Sequence, residues 1–177
     1  DVSNSEVTGG INAFALGVAS VNPDAEVYVK VTNSWFDPTL EQQAAEALLD
    51  SGCDVLAQHC DTTAPQLAAQ ARGVWGCGYN SDMGKDAPKA HLTAPIWNWG
   101  VYYTQTAKAV MDGTFKAENY YGGMKEGFVD ISPLSDNCAP GTKEKIDAAK
   151  KSIVDGTFKV FEGELYDNQG NKVCEKG

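Results

Sequence analysis

The chain is poor in positive charge and has almost no arginine. Its 14 lysine and arginine residues stand against 24 aspartate and glutamate residues, which gives a formal net charge of -10 at pH 7. Nucleic acids and anionic membrane surfaces bind basic protein faces, so we expect neither as a partner. The one arginine, Arg72, ends a predicted helix just before Gly73, where a cation complements the helix dipole. Binding loops without a guanidinium disfavour carboxylate and phosphate ligands and favour a neutral, flat, polar molecule.

Long apolar runs are missing as well. No stretch of the 177 residues reaches the length of a membrane-spanning helix. The sequence starts at Asp1 without the basic and apolar regions of a signal peptide, so we expect any export signal to have been removed or omitted. The length leaves room for one sizeable domain, alone or with an appendage.

The cysteine patterns of zinc and redox sites are also missing. The five cysteines include no CxxC pair and no cysteine–histidine spacing of a zinc site, so we expect neither a metal nor another cofactor. Cys53, Cys60 and Cys77 fall in or beside predicted strands, where a buried thiol packs as a small apolar side chain. Cys138 and Cys174 stand in polar, turn-rich sequence. In an oxidising compartment a disulfide between them is one alternative, and two separate thiols are the other.

Helical and strand-like patterns alternate over the first part of the chain. Apolar residues at helical spacing from Val7 to Val18 predict a first helix, and Asp37 before Pro38 predicts the start of a second. A third helix is predicted at 64–72. Short apolar runs between and after these helices predict strands. Such alternation predicts an α/β fold, a three-layer sandwich around a parallel sheet whose strands are buried on both faces. The predicted strands are Glu26–Thr32, Asp54–Gln58, Val74–Gly78 and Leu92–Ile96.

Beyond Ile96 the pattern no longer alternates. Two helices are predicted, from Trp99 to Met111 and from Thr142 to Val154, and the same DGTFK sequence follows each of them. Because the flanking sequence does not repeat, we interpret DGTFK as a shared way of ending a helix at a glycine. From residue 161 onward the pattern predicts a strand, a turn at 167–170 and a polar end.

An aromatic, amide or carboxylate side chain follows each predicted strand. Ligands of parallel α/β sheets bind beyond the carboxyl ends of the strands, so we expect these side chains to meet at one edge. Flat rings for stacking, together with hydrogen-bond acceptors, predict a small-molecule pocket there. In strand order, the candidate ligand-binding residues are Trp35 and Phe36, His59 and Asp61, Asn80 and Asp82, and Trp97 and Trp99.

Several of these residues have a second interpretation. Trp35 or Phe36 precedes a helix start and could pack on that helix as a hydrophobic staple. Asp82 could stabilise a turn through its own side chain. Trp97 and Trp99 could be core aromatics at the start of a helix. The sequence pattern leaves these alternatives open.

His59 and Asp61 form the best pair for acid–base chemistry in the chain, and they raise the hypothesis of an enzyme with His59 as the base. No activated nucleophile, GxSxG motif or set of metal ligands accompanies them. Cys60 lies between them, but an acidic loop does not favour a reactive thiolate. We therefore expect polar contacts to a ligand and no catalysis.

Several stretches closely resemble one family. They are GINAFALGVASVNPDAEV, TNSWFDPTLEQQAAEALLDSGCDVLAQHCD, GYNSDM, APKAHLTAPIWNWG and VMDGTF, and they are similar, in order and with few gaps, to the basic membrane protein family. Its members are solute-binding proteins of ABC importers, built on the two-lobed type I periplasmic-binding fold. They recognise purine nucleosides, purine bases or, in some relatives, other heterocycles. The resemblance implies a protein of the periplasm or the cell exterior, with or without a lipid anchor, that delivers its ligand to an ABC permease.

The resemblance covers only the C-terminal half of such a protein. It implies that residues 1–96 are the C-terminal ligand-binding lobe, and that residues 97–177 contain the hinge crossing, the returning helices and a C-terminal strand or tail. The missing N-terminal lobe then belongs either to the rest of a longer chain or to a partner. We favour a fragment of a longer chain.

The resemblance gives two residues a specific role. Asp82, in GYNSDM, matches an acidic residue that accepts hydrogen bonds from the ligand in the family. Nucleoside-binding relatives often carry a ribose-holding lysine where this chain has Trp97, so a bare base stacked on an aromatic face is favoured. Two other functions stay as alternatives: the extracellular ligand-sensing domain of a receptor and, less favoured, a nucleoside-processing enzyme.

Overall fold

The computed structural model describes residues 4–175. Helices and strands alternate from residue 38 to residue 77, in an order that follows the sequence pattern there. The helices are α1 (Ser5–Val21), α2 (Pro38–Asp50), α3 (Ala64–Arg72), α4 (Trp99–Met111) and α5 (Thr142–Val154), and the strands are β1 (Val55–Ala57), β2 (Trp75–Cys77), β3 (Pro95–Trp97), β4 (Val129–Ile131), β5 (Leu165–Tyr166) and β6 (Lys172–Cys174).

Capping residues set the ends of α2 and α3 where the sequence predicts them. The Asp37 carboxylate accepts hydrogen bonds from the backbone N–H groups of residues 39 and 40 at 3.1 and 3.0 Å, which starts α2. Gly73 ends α3 with φ of 71°, in the left-handed region that glycine adopts without strain. Arg72, in the last turn of α3, bonds to Glu46 and Asp50 of α2. The only arginine is therefore held between these two helices.

A parallel sheet lies at the centre of the first part of the chain. β1 pairs with β2 in parallel, with Leu56 opposite Gly76. The chain around His91 extends the sheet on the other side of β2, because Gly76 forms a parallel bridge with His91. The Leu92 N–H also donates to the Gly76 carbonyl at 2.9 Å. The predicted α/β class and parallel sheet are confirmed.

The core lies between this sheet and the pair α2 and α3. Leu56 of β1 is 2% exposed, and a Cβ at Gly76 would lie 3.4 Å from the Gln66 side chain of α3, so helix and sheet are in direct contact. The core cluster around Leu56 consists of Ala45, Leu49, Ala68, Ala69 and Ala90. Its many alanines let the layers approach closely.

The other face of the sheet is only partly covered by the described residues. Side chains alternate along a strand, so Val55 and Trp75 point away from the core, and they are 40% and 42% exposed. The expectation that the strands are buried on both faces is therefore wrong for this part of the chain. The apolar composition of the strands predicted that both faces of the sheet are buried. Burial of the second face also needs a layer of helices or another chain on that side, which strand composition does not specify.

One predicted strand is absent. Within the described residues, Glu26–Thr32 pairs with no strand, and Tyr28 and Val29 are 56% and 51% exposed. The Thr32 hydroxyl lies 3.8 Å from Cys60 Sγ, beyond the end of β1, and the Asp61 N–H donates to the Trp35 carbonyl at 2.9 Å just after this segment. Strand propensity reflects fit to a pleated surface, but a strand also needs a hydrogen-bonded neighbour. The prediction of a strand is wrong here for that reason.

The chain after the parallel sheet pairs in the opposite sense. β3 is antiparallel to β4, with Ile96 opposite Asp130, so the predicted strand Leu92–Ile96 divides into a part bonded to β2 and a part paired with β4. The sequence reasoning did not predict β4. Asp130 is ion-paired with Lys150 of α5 at 2.6 Å, which fixes α5 against this strand.

Residues 97–128 leave the sheet and return to it. The Asn98 backbone N–H donates to the Phe128 carbonyl at 2.7 Å, and the Asn98 side-chain amide donates to the Gly127 carbonyl at 3.0 Å. Asn98 therefore joins the start of this segment to its end. α4 lies between them and has no buried residue. In residues 4–175, no helix has the length and apolarity needed to cross a membrane. The division into 1–96 and 97–177 stays a prediction.

The C-terminal end forms a hairpin and leaves Cys138 unlinked. β5 and β6 are antiparallel, with Leu165 opposite Cys174, where the sequence predicted one strand, a turn and a polar end. Cys138 carries a free thiol 3.7 Å from the Leu92 carbonyl oxygen. The disulfide considered between Cys138 and Cys174 is therefore not formed: hairpin pairing holds Cys174, while a turn bonded to the Ser135 carbonyl places Cys138 beside Leu92.

Candidate ligand-binding site

Four aromatic rings form a continuous row at the carboxyl edge of the parallel sheet. The ring centroids of Trp35 and His59 are 5.8 Å apart. The His59 ring stacks on Tyr79 at 4.2 Å, and Tyr79 meets Trp97 edge-on at 6.1 Å. We call Trp35, His59, Tyr79 and Trp97 the aromatic column. It joins the ends of neighbouring strands, which is where the sequence predicts a pocket.

Polar groups flank the aromatic column. Asn80 has φ of 71°, a left-handed conformation that asparagine tolerates better than most residues. Its amide nitrogen lies 3.4 Å from an Asp61 carboxylate oxygen. The Tyr79 hydroxyl donates to the Glu6 carboxylate at 3.2 Å, which ties the first turn of α1 to the end of β2. Amide and carboxylate groups are thus available beside the rings for hydrogen bonds to a flat ligand.

His59 is closely packed within the column. A Cβ at Gly10 of α1 would lie 3.1 Å from the His59 ring carbon Cδ2, so glycine at this helix position leaves room for the ring. His59 Nδ1 is buried and has no hydrogen-bond partner among the described residues. An unpaired buried ring nitrogen costs free energy, and a ligand or an ordered water bonded to it relieves that cost.

Burial controls the protonation of two groups near the column. Burial, and then the Glu6 carboxylate, raise the pKa of Tyr79 well above its ordinary value, so the hydroxyl stays protonated and donates. Burial also raises the pKa of the Cys60 thiol, and a protonated thiol is a poor nucleophile. Across residues 4–175, no group of three or more histidine, cysteine, aspartate or glutamate side chains is placed to hold a metal ion.

Asp82 lies on the same loop as Asn80 but has different neighbours. One of its carboxylate oxygens, Oδ1, accepts a hydrogen bond from the Gly84 N–H at 2.9 Å and lies 3.6 Å from His91 Nε2. The turn role considered from the sequence is therefore present. The side chain is still 51% exposed, so part of the carboxylate remains accessible to a ligand, and the ligand role stays a prediction.

Two of the predicted aromatic site residues lie outside the column. Trp99, at the start of α4, stacks on Tyr103 at 5.8 Å and meets Phe128 edge-on at 5.1 Å. Phe36 is 68% exposed. The structure thus brings Trp35, His59 and Trp97 together, with Asp61 and Asn80 beside them, and leaves Phe36 and Trp99 out of the row of rings.

The sequence reasoning did not select three residues that shape this site. Tyr79 directly precedes Asn80 at a strand end, so the rule that selected Asn80 also applies to it. Glu6 and Gly10 belong to α1, far away in the sequence, and only tertiary packing brings them to Tyr79 and His59. No local pattern signals such a contact.

The sequence profile of a known family matches most of the chain. The family is Bmp, described as ABC transporter substrate-binding protein, PnrA-like, and the match covers residues 2–163. The chain belongs to the Bmp family. The resemblance noted in the sequence is thereby confirmed, and Bmp proteins are substrate-binding components of ABC transporters.

Two curated relatives of this Bmp-family chain have named ligands. A purine-binding protein of Brucella abortus (strain 2308) is 44% identical over 172 residues, which are 97% of this chain and 49% of that protein. A putative ABC transporter glucose-binding protein of Haloferax volcanii is 36% identical over 167 residues, 94% of this chain and 43% of that protein. The chain spans about half the length of the curated relatives it matches.

Solved structures share the fold of this Bmp-family chain. An ABC transporter solute-binding protein from Conexibacter woesei superposes with a TM-score of 0.70 at 21% identity, over 84% of this chain and 50% of that one. A solute-binding protein from Aeropyrum pernix K1 gives 0.63 at 19% identity, over 84% and 51%. The fold is therefore part of a periplasmic-binding fold.

Proposed function

We propose that this chain is the C-terminal lobe of the solute-binding component of an ABC importer and that it binds a purine base or a similar heterocycle. The observation that carries the proposal is the aromatic column, with Asp61 and Asn80 beside it, at the carboxyl edge of the parallel sheet. Rings of this kind stack on flat heterocycles, and the amide and carboxylate groups fix their orientation.

Charge and relatedness support a neutral purine. The only arginine of these 177 residues, Arg72, is bound to α2, so this chain offers the ligand no guanidinium for a carboxylate or phosphate. The Brucella relative, which is a purine-binding protein, is 44% identical. In the proposed complex, Trp97 stacks on the ligand ring, and the Asp82 carboxylate accepts hydrogen bonds from N–H groups of the ligand. The other proposed contacts come from Trp35, His59, Asp61 and Asn80.

The proposed mechanism is closure of a cleft between two lobes. Each lobe contacts one face of the ligand, and the closed form docks on the permease. Substrate-binding proteins of ABC importers work in the periplasm or outside the cell, and we propose the same location here. A lipid anchor stays a prediction.

Calorimetric titration of the protein with both lobes present tests the ligand class. The ligands are adenine, guanine, adenosine, inosine and glucose. Free bases are expected to bind at least as well as nucleosides, because Trp97 stands where ribose-binding relatives often carry lysine. A clear preference for nucleosides overturns the base-binding version. Binding of glucose alone, the ligand in the name of the Haloferax relative, or no binding of any purine overturns the purine class.

Trp97→Ala and Trp99→Ala form a matched pair for the stacking role. Trp97 belongs to the aromatic column, whereas Trp99 packs on Tyr103 and Phe128. Loss of a ring that stacks on a base costs roughly 1–3 kcal/mol, so Trp97→Ala is expected to weaken purine binding by about ten-fold. Trp99→Ala is expected to change the affinity much less. An equal loss in both variants contradicts the assignment of Trp97.

A further inference from the structure

His91 is a buried histidine next to the proposed ligand residue Asp82. The residue is 1% exposed, and its Nε2 lies 3.6 Å from Asp82 Oδ1 and 3.5 Å from Ser132 Oγ. Gly84 closes the space between ring and carboxylate: a Cβ there would lie 3.1 Å from His91 Cδ2 and 3.1 Å from Asp82 Oδ1. The turn at 82–84 thus holds the carboxylate against the imidazole.

Among the described residues, Asp82 is the charged group that faces the His91 ring. Ser132 and Gly84, which also contact it, do not titrate, and Ser132 Oγ already accepts the Ala94 N–H at 3.0 Å. His91 Nδ1 is buried with no hydrogen-bond partner among the described residues. A proton added to His91 is therefore compensated mainly by the Asp82 carboxylate.

We propose that His91 is a positioning residue for Asp82, and that protonation of His91 weakens ligand binding by drawing the Asp82 carboxylate into an ion pair. The inference rests on the proposed ligand role of Asp82. While His91 is neutral, the exposed part of the carboxylate is available to the N–H groups of a ligand. Once the imidazolium forms, the ligand competes with a charged donor for the same carboxylate. By linkage, bound ligand then disfavours protonation of His91 to the same extent.

The loss of ligand affinity is expected below pH 7. Burial lowers the pKa of His91 from its ordinary value of 6.5, and the Asp82 carboxylate partly opposes this. His91 is therefore neutral at pH 7 in the free protein. Ligand affinity is constant above the ordinary pKa of histidine and falls as the pH decreases through the lowered pKa of His91.

The test measures the dissociation constant for the best-binding purine from about pH 8 to about pH 5, with both lobes present. The wild-type affinity is expected to fall by about five-fold or more, at the lower end of typical couplings between sites. His91→Gln keeps a side-chain donor near Asp82 but cannot gain a charge, so it is expected to lose this fall. An equal fall in wild type and His91→Gln, or none in wild type, overturns the inference and leaves the purine assignment standing.

A ligand-free measurement separates this inference from the proposed function. An NMR titration of the imidazole signals gives the pKa of His91, and His91→Gln identifies its signal as the one that is lost. Asp82→Asn removes the neighbouring negative charge and is expected to lower the pKa of His91 by about half a pH unit or more. An unchanged pKa in Asp82→Asn shows that the two residues do not interact, and the inference then fails whether or not purines bind. A lowered pKa in a protein that binds no purine overturns the proposed function and keeps the His91–Asp82 pair.

Discussion

The ring of His59 stacks on the ring of Tyr79, with centroids 4.2 Å apart and planes inclined by 29°. The two residues follow β1 and β2, which are neighbours in the parallel sheet. Through its hydroxyl, Tyr79 also bonds to Glu6 at the start of α1. The stack therefore connects the ends of β1 and β2 with α1 at the proposed ligand-binding site. A substitution at either ring is expected to disturb the contacts between these three elements.

Gly10→Ala and Gly17→Ala test how closely α1 packs on His59. A Cβ at Gly10 lies 3.1 Å from the His59 ring, whereas a Cβ at Gly17 has nothing within 4 Å. Alanine is favoured over glycine inside a helix by about 0.5–1 kcal/mol, so Gly17→Ala is expected to raise the free energy of unfolding by about that amount. Gly10→Ala is expected to raise it less or to lower it, and to weaken ligand binding, because the ring has to move. Urea unfolding of both variants measures the difference, and equal stabilisation contradicts the contact.

Tyr79→Phe and Tyr28→Phe compare a buried hydroxyl with an exposed one. Tyr79 donates to Glu6 and is 6% exposed, whereas Tyr28 donates to Glu26 at the surface. Removal of the Tyr79 hydroxyl is expected to lower the free energy of unfolding by about 0.5–1.5 kcal/mol. Tyr28→Phe is expected to have no measurable effect, because water replaces the lost partner. Chemical denaturation measures the free energy of unfolding of both variants. A larger decrease in Tyr28→Phe than in Tyr79→Phe contradicts a stabilising hydrogen bond from Tyr79 to Glu6.

Acid is expected to destabilise the protein partly through His91. Since burial lowers the pKa of His91 in the folded state from 6.5, the unfolded chain binds a proton at a higher pH than the folded one. The contribution of neutral His91 to the free energy of unfolding is complete above about pH 6.5 and is lost as the pH falls through the lowered pKa. Unfolding curves recorded at several pH values should show a weaker acid dependence for His91→Gln than for wild type. Parallel dependences exclude this contribution.

Asp82→Asn and Asp82→Ala separate the turn role of Asp82 from its proposed ligand role. Asparagine keeps an oxygen for the Gly84 N–H, and alanine does not. Both variants are expected to weaken purine binding by about ten-fold, because ligand N–H groups lose a charged acceptor. In the ligand-free protein, only Asp82→Ala is expected to lower the melting temperature. Unchanged purine affinity in Asp82→Asn leaves Asp82 with the turn role alone.

The apolar surface of α4 is expected to need a cover. Tyr103, Val110 and Met111 are 61%, 59% and 86% exposed, and contiguous apolar surface of this kind marks an interaction site. The chain of residues 1–177 by itself is therefore expected to bind the dye ANS more strongly than the protein with both lobes. Equal dye binding by the two forms contradicts the expectation that residues 97–177 pack against another lobe.

The elements that the sequence predicted well have their signals within a few residues. Asp37 before Pro38 starts α2, and Gly73 ends α3, because capping depends on the chain next to the helix end. The failures depend on distant partners. Glu26–Thr32 has strand-forming residues but no paired neighbour in the described part of the chain. β4, which is Val129–Ile131, alternates apolar and polar side chains, but three residues are too few for this period to stand out in the sequence.

In the candidate site, too, local signals predicted some residues, while contacts between distant residues were not predicted. Strand-end positions predicted His59, Asp61, Asn80 and Trp97 because ligand sites of parallel sheets follow from topology. The contact between Glu6 and Tyr79 joins residues far apart in the chain, and no local rule predicts which helix turn packs against which loop. The pairing of Asp82 with a buried histidine was unforeseen for the same reason.

The aromatic column gives the protein an optical reporter of its own. Of its four tryptophans, Trp35 and Trp97 belong to the column, while Trp75 lies on the open face of β2 and Trp99 packs on Tyr103. Indole fluorescence changes when the polarity around the ring changes. A heterocycle that stacks on the column is therefore expected to alter the emission of Trp35 and Trp97, so that ligand binding can be followed by intrinsic fluorescence without an added dye.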